Sequence, residues 1–238
     1  MLRKLLIVFA SGVILSIVAF GAAWVAGGEK LRADISEGHG WSWTVGEDGE
    51  ADHGPRKSRN FTVDPGAQLA MEIPVDLTFA RGDKAEMVVT GPASVVDRLV
   101  WENGRLSLPG GARIKHGVKV RITAPQITGL DLDAPGDVTL NGLQQDRFTL
   151  NSQAPVDLEA QGKVRELFVS VDGPGSLDLG KVEGENATVR LNGVGNVTIG
   201  AKGTVDVAIN GIGNVTLLRK PANLRSSING LGSIDHDY

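Results

Sequence analysis

The sequence contains no cysteine, which excludes a disulfide framework and thiol-based catalysis. Aromatic residues make up only 5% of the chain, which suits a narrow interior filled by Val, Leu and Ile. Positive charge is also in deficit, because the formal net charge is −4. A nucleic-acid-binding surface needs a basic footprint, so nucleic acid is not expected as a partner.

Common catalytic motifs are missing as well. The four histidines do not show HxH or HExxH spacing, and no Gly-x-Ser-x-Gly nucleophile elbow is present. The run Gly195–Gly200 lacks the lysine of a phosphate-binding loop. We therefore expect no catalytic residues of these types and no cofactor.

The most prominent feature that is present is one short phrase, repeated six times in the C-terminal half. Its copies begin 18 to 21 residues apart and are Leu130–Leu140, Phe148–Leu158, Val169–Leu179, Val189–Ile199, Val207–Leu217 and Ser226–His236. Each copy carries two pairs of apolar residues at alternate positions, which is the period of a β-strand. A repeat near 20 residues that holds one supersecondary unit is typical of a solenoid. The sequence therefore predicts six stacked coils, with strands about 4.8 Å apart.

A corner separates the two strands of each copy. Its first position is always Asp or Asn, which tolerate tight turns and can form a stacked side-chain ladder: Asp133, Asn151, Asp172, Asn192, Asn210 and Asn229. Glycines follow, and we expect them to let adjacent corners approach closely: Gly136, Gly175, Gly195, Gly213 and Gly232. The Asp/Asn column could also supply oxygen ligands to calcium, but the side-chain ladder is the preferred interpretation.

Two columns of the repeat are left for function. Between the corner glycines of the last three copies lie Val194, Ile212 and Leu231, which form an interaction stripe if the corner points outward. The column between the last two apolar positions contains Asp157 and Asp178. If these carboxylates stack about 5 Å apart, they could share a proton or bind a metal ion. A solvated outward column is the alternative.

The N-terminus predicts export. Arg3 and Lys4 precede 24 uncharged residues, Leu5 to Gly28, which are long enough for one hydrophobic helix that spans a bilayer. Residues 1–28 are therefore either a membrane anchor or a cleaved signal peptide. Residues 29–60 resemble a flexible Gly-rich linker. Within it, Trp41 and Trp43 could form an aromatic contact for a sugar or a partner, or else an added strand that caps the solenoid.

Residues 61–238 are predicted to form the solenoid domain, with regular coils over 130–238. Its first part has a looser strand pattern, as expected for a terminal cap, and Asn103-Gly104 predicts a hairpin turn.

A family resemblance rests on the corners. The stretch Val118–Gly142 and the corners Gly173–Ser176, Gly193–Asn196, Gly211–Asn214 and Gly230–Ser233 resemble DUF2807, the head GIN domain described for auto-transporter adhesins. The resemblance implies a right-handed parallel β-helix-like solenoid in an exported or envelope-anchored bacterial protein, and it brings no catalytic motif. The corner Ser152-Gln-Ala-Pro155 departs from the pattern because it lacks both glycines.

These observations favour a non-enzymatic cell-envelope protein that displays the solenoid as an adhesion, binding or scaffold module. The alternative is a carbohydrate-active β-helix enzyme, a lyase or hydrolase, with its carboxylates in a groove. Expected partners are an envelope protein or glycan, the membrane if residues 1–28 are not cleaved, and a second copy bound through a solenoid edge or the stripe.

Overall fold

The computed structural model describes residues 55–110, 114 and 117–238, and this part of the protein is an all-β solenoid of about five turns. Its strands and one short helix are β1 Arg56–Thr62, β2 Gln68–Met71, β3 Val75–Arg81, β4 Glu86–Pro92, α1 Ala93–Val96, β5 Val100–Glu102, β6 Arg105–Ser107, β7 Val118–Ala124, β8 Gly129–Leu132, β9 Gly136–Ser152, β10 Val156–Val171, β11 Pro174–Leu191, β12 Val194–Ala201, β13 Thr204–Ile209, β14 Ile212–Leu217, β15 Asn223–Ile228 and β16 Leu231–His236.

The predicted N-terminal helix, residues 29–54 of the predicted linker, and the pair Trp41 and Trp43 lie outside the described residues. Strand β1 starts at Arg56, within residues 29–60, the range of the predicted linker. No helix in the described ranges is both long and apolar enough to cross a membrane.

Parallel strands from successive coils form the body of the solenoid. One row runs β3-β9-β10-β11-β12-β14-β16, and a second row continues from the later halves of β9 to β11 into β13 and β15. In the first row, residues paired between successive repeats lie 18 to 20 positions apart in the chain, as in Gly136 with Val156 and Val194 with Ile212. This confirms the predicted coil of about 20 residues. The solenoid has about five turns, one fewer than the six predicted coils.

The register of the second copy differs from the prediction. Leu130 pairs with Leu150 rather than with Phe148, and Gly136 pairs with Val156 rather than with Ala154. The second copy is therefore Leu150–Ala160, two residues later than its expected position. Because a shift of two residues keeps every side chain on the same face, the apolar alternation is the same in both registers.

The core consists of four inward columns, one residue from each coil. The first column begins Leu130, Leu150, Val169, Val189 and Val207, and all five side chains are buried. Ser152 is the one buried polar residue among the described residues, and its Oγ donates a hydrogen bond to the carbonyl oxygen of Ala154 at 3.1 Å. That bond satisfies the hydroxyl group in an otherwise apolar column.

The N-terminal end is capped by strands that are out of chain order. Strand β8 pairs with β2, and β9 pairs with β3. On their other sides, β2 pairs with β6 and β3 pairs with β7, although β6 and β7 come later in the chain. Antiparallel β4 then covers β7, and β1 covers β4. The predicted hairpin at Asn103-Gly104 is confirmed, since both residues have positive φ and connect antiparallel β5 and β6. This region is therefore part of the same solenoid, as expected.

Candidate interaction surface

The corner stripe, defined as Val194, Ile212 and Leu231, projects from the solenoid. The three residues pair in register on β12, β14 and β16, so neighbouring side chains are one strand spacing apart, about 4.8 Å. Their exposed fractions are 54%, 51% and 74%. The corner therefore presents a continuous aliphatic column to solvent in the last three coils.

Backbone packing under the stripe explains why the corners need glycine. Gly213 has φ +150°, and a Cβ atom there would lie 1.7 Å from the carbonyl oxygen of Gly195. The other four predicted structural glycines would place a Cβ atom 1.8 to 2.6 Å from a backbone oxygen. The backbones of adjacent corners are too close together to admit a side chain. The residues between the glycines therefore point their side chains outward. In the second coil, Val156 takes the glycine position.

A ladder of hydrogen bonds runs along the first corner position, over fewer residues than predicted. Each Asn amide donates to the preceding coil: Asn192 to Asp172 at 2.8 Å, Asn210 to Asn192 at 2.9 Å, and Asn229 to Asn210 at 3.2 Å. Asp172 fits the start of the ladder, because a carboxylate accepts but cannot donate.

The other two predicted ladder residues, Asn151 and Asp133, make different contacts. Asn151 is not in the corner column, because the second copy is shifted; its amide instead donates to Asp131 at 2.7 Å. Gln153 takes the corner position, since its backbone N–H bonds the preceding coil as those of Asp133 and Asp172 do. Asp133 lies 3.7 Å from the guanidinium group of Arg105. The ladder therefore starts at Asp172.

The expected stacking of Asp157 on Asp178 is wrong. Asp178 pairs with Glu159 and Thr198, and one of its carboxylate oxygens accepts the backbone N–H of Gly180 at 2.9 Å. Asp157 lies two positions before Glu159 on β10 and pairs with Asp137 and Ser176. The two-residue register shift is the cause, and it removes the geometric basis for a shared proton or metal ion at this pair.

The structure instead aligns three carboxylates that the sequence pattern did not bring together. Asp76, Asp137 and Asp157 occupy one outward column on β3, β9 and β10. Partial burial raises the pKa of Asp137, and the negative charges of Asp157 and Asp76 raise it further. Lys119 offsets part of this charge, with its Nζ 3.4 Å from Asp76. No group of three or more potential ligands in the described residues is arranged to hold a metal ion.

One aromatic side chain on the solenoid surface was also missed. Phe168 lies in an outward column between Thr149 and Thr188, and the Arg147 guanidinium group lies 5.5 Å from its ring centroid. Arg147 also donates two hydrogen bonds to one carboxylate oxygen of Glu166, from Nε at 3.1 Å and from Nη2 at 2.8 Å. An aromatic residue in a polar column of the repeat was the signal that could have revealed it.

The stacked parallel coils, glycine corners and Asn ladder define the protein as a β-solenoid with an exposed corner stripe. The family model DUF2807, described as "Putative auto-transporter adhesin, head GIN domain", matches residues 67–221. The chain belongs to this family. No curated protein matches it in sequence.

Several solved structures are similar to this chain at low sequence identity. A "putative adhesin" from Bacteroides fragilis is 20% identical, with a TM-score of 0.59 over 76% of this chain and 97% of that one. A "putative adhesin" from Parabacteroides merdae is 14% identical, with a TM-score of 0.44 over 77% and 97% of the two chains. A "putative lipid binding protein" from Parabacteroides distasonis is 16% identical, with a TM-score of 0.41 over the same shares. The first likeness supports the fold, and no ligand follows from it.

Proposed function

We propose that the protein is a non-enzymatic binding module of the bacterial cell envelope, which acts in adhesion or as a scaffold. The observation that carries the proposal is the corner stripe. All six large hydrophobic side chains that are exposed among the described residues belong to the stripe or to the last coil and the residues that follow it: Val194, Ile212, Leu224, Ile228, Leu231 and Tyr238. Contiguous exposed apolar surface marks contact sites in proteins.

The stripe suits contact with a macromolecule or a glycan better than it suits catalysis. Its three side chains are aliphatic, and they stand on a convex corner rather than in an enclosed pocket. A partner gains affinity there by burying aliphatic surface, at about 25 cal/mol per Å². The family description is the second support, because it names an adhesin head domain.

The envelope location rests on the sequence. A basic start followed by 24 uncharged residues is a signal for export, as a cleaved signal peptide or a retained anchor. N-terminal sequencing of the protein purified from its host membranes separates these alternatives. A mature chain that starts at Trp24 or later would rule out the anchor, and an intact N-terminus would support it.

The binding proposal is tested by removing the stripe. In the variant Val194→Ser/Ile212→Ser/Leu231→Ser, we expect retention on purified envelope fractions and on a glycan array to fall about tenfold or more, since each 1.4 kcal/mol of lost burial is one factor of ten. The control is Thr198→Ser/Thr216→Ser, which alters a different outward column on β12 and β14. Equal retention of both variants and the wild type would contradict the proposal.

A further inference from the structure

The last coil leaves two strand edges open. β15 pairs only with β13, and β16 pairs only with β14, so the N–H and C=O groups on their outer sides have no strand partner among the described residues. All six residues of β15 are exposed. Such an edge can pair with another strand unless charge, proline or a covering segment blocks it.

The inward face of β15 carries a symmetric pattern. Leu224, Ser226 and Ile228 continue the buried columns of β13, because they pair with Val205, Val207 and Ile209. With no further coil above them, Leu224 is 37% exposed and Ile228 is 44% exposed. Along the strand the order is apolar, small, apolar. A copy of β15 reversed about Ser226 therefore presents the same order of residue types.

The other end of the solenoid does not fit this edge. At the other end of the row that contains β15, the outermost strand is β5, which is three residues long and runs antiparallel to β6. Head-to-tail stacking of two copies would therefore set the six residues of β15 against a strand of half its length. A reversed copy of β15 matches Leu224 and Ile228 along the whole strand.

We propose that two copies of the protein associate through β15, which pairs antiparallel with β15 of the partner subunit about a two-fold axis at Ser226. In this register, Leu224 lies opposite Ile228 of the partner subunit. Arg225 lies opposite Ser227 of the partner subunit, so no like charges lie directly opposite each other, and each Arg225 has Asp206 of its own subunit 3.7 Å away as a counter-ion. Interfaces of this isologous kind are the commonest in homodimers.

The ladder supports the same register. Asn229 donates to Asn210, and its own amide oxygen accepts no hydrogen bond among the described residues. In the proposed dimer, Asn223 of the partner subunit lies opposite Asn229 and can donate to that oxygen. The association then completes the backbone pairing of β15 and the side-chain ladder together. The proposed binding function uses the corner stripe on β12, β14 and β16, whereas this association pairs β15, so each can fail separately.

The absence of cysteine makes a direct test possible. Residues opposite each other in an antiparallel pair have Cα atoms about 4.5–5.5 Å apart, within the range that a disulfide needs. In the full-length variant Ser226→Cys, purified in mild detergent and oxidised with copper phenanthroline, we expect a disulfide-linked dimer on a non-reducing gel. The control is Ser227→Cys, whose two copies would be offset by two residues, about 8 Å apart and beyond disulfide reach.

We expect the Ser226→Cys dimer to form about tenfold faster than the Ser227→Cys dimer. Adding Ile228→Lys to Ser226→Cys should reduce the rate to the control level, because a lysine would then face Leu224 of the partner subunit. Equal rates for the two cysteine variants, or no dimer from either, would overturn the proposal. Equal rates, or no dimer, are also the result expected if a different molecule covers this edge. An Ile228→Lys variant that dimerises as fast as its parent would also overturn it.

Discussion

Replacing Gly213 with alanine tests whether close backbone packing at the corners holds the coils together. The residue has φ +150°, a region that is essentially restricted to glycine and costs other residues about 1–3 kcal/mol. The new Cβ atom would also lie 1.7 Å from the Gly195 carbonyl oxygen, so the two coils must separate locally. That movement strains the neighbouring bond from Ile212 N to Gly193 O, now 3.0 Å, and a lost hydrogen bond costs about 1 kcal/mol. We therefore expect Gly213→Ala to lower the free energy of unfolding by about 2–4 kcal/mol.

The matched control is Gly142→Ala, at a glycine with positive φ but without the collision. Gly142 has φ +77°, and its nearest contact would be the Arg81 Cβ at 3.4 Å, an ordinary van der Waals distance. The conformational cost alone is about 1–2 kcal/mol there. Urea denaturation followed by circular dichroism measures both variants. The reasoning would be refuted if Gly213→Ala destabilised the protein no more than Gly142→Ala.

Two further predictions concern the ladder and the carboxylate column. Asn192→Asp should lower the free energy of unfolding at pH 7 by about 1–2 kcal/mol, because a carboxylate cannot donate a hydrogen bond to Asp172. Asn196→Asp is the control, since the side chain of Asn196 only accepts a backbone N–H. Equal losses of stability for the two variants in urea denaturation would contradict the ladder's role. The pKa of Asp137 is raised in the folded state, so the folded protein binds more protons and loses stability as pH rises through that pKa. Asp137→Asn should therefore raise the melting temperature at pH 7, and the gain should vanish below about pH 4, whereas Asp83→Asn on an exposed loop should change little. A gain that is independent of pH would argue against this explanation.

Most of the architecture could be predicted because stacking repeats the same constraint in every coil. Columns such as Val169, Val189 and Val207 must be apolar to fill the interior, so their period is visible in one sequence. The second coil was placed two residues early because strand alternation cannot distinguish such a shift. In the observed register Ser152 lies in an apolar column, and the bond to Ala154 that makes this possible is visible only in three dimensions.

The coil order of the N-terminal cap could not be predicted for a different reason. Strands β2 and β6 are both short, and nothing in their composition tells which of them receives β8. The covering strands β4 and β1 pair over long sequence distances, which local patterns do not reveal. The Asp76, Asp137 and Asp157 column was missed for both reasons, since it joins the cap to the shifted coil.

The direction of the stack also bears on how the chain folds. Because a chain is synthesised from its N-terminus, the capped end can close before the regular repeats exist. Each later coil then docks on a finished surface of open strands and adds mostly contacts about 20 residues apart, a short loop to close. Growth by addition means that an adhesive edge is present at every stage of folding. In the described residues the stack ends at the open outer edges of β15 and β16, so a folding intermediate and the native protein expose the same kind of surface.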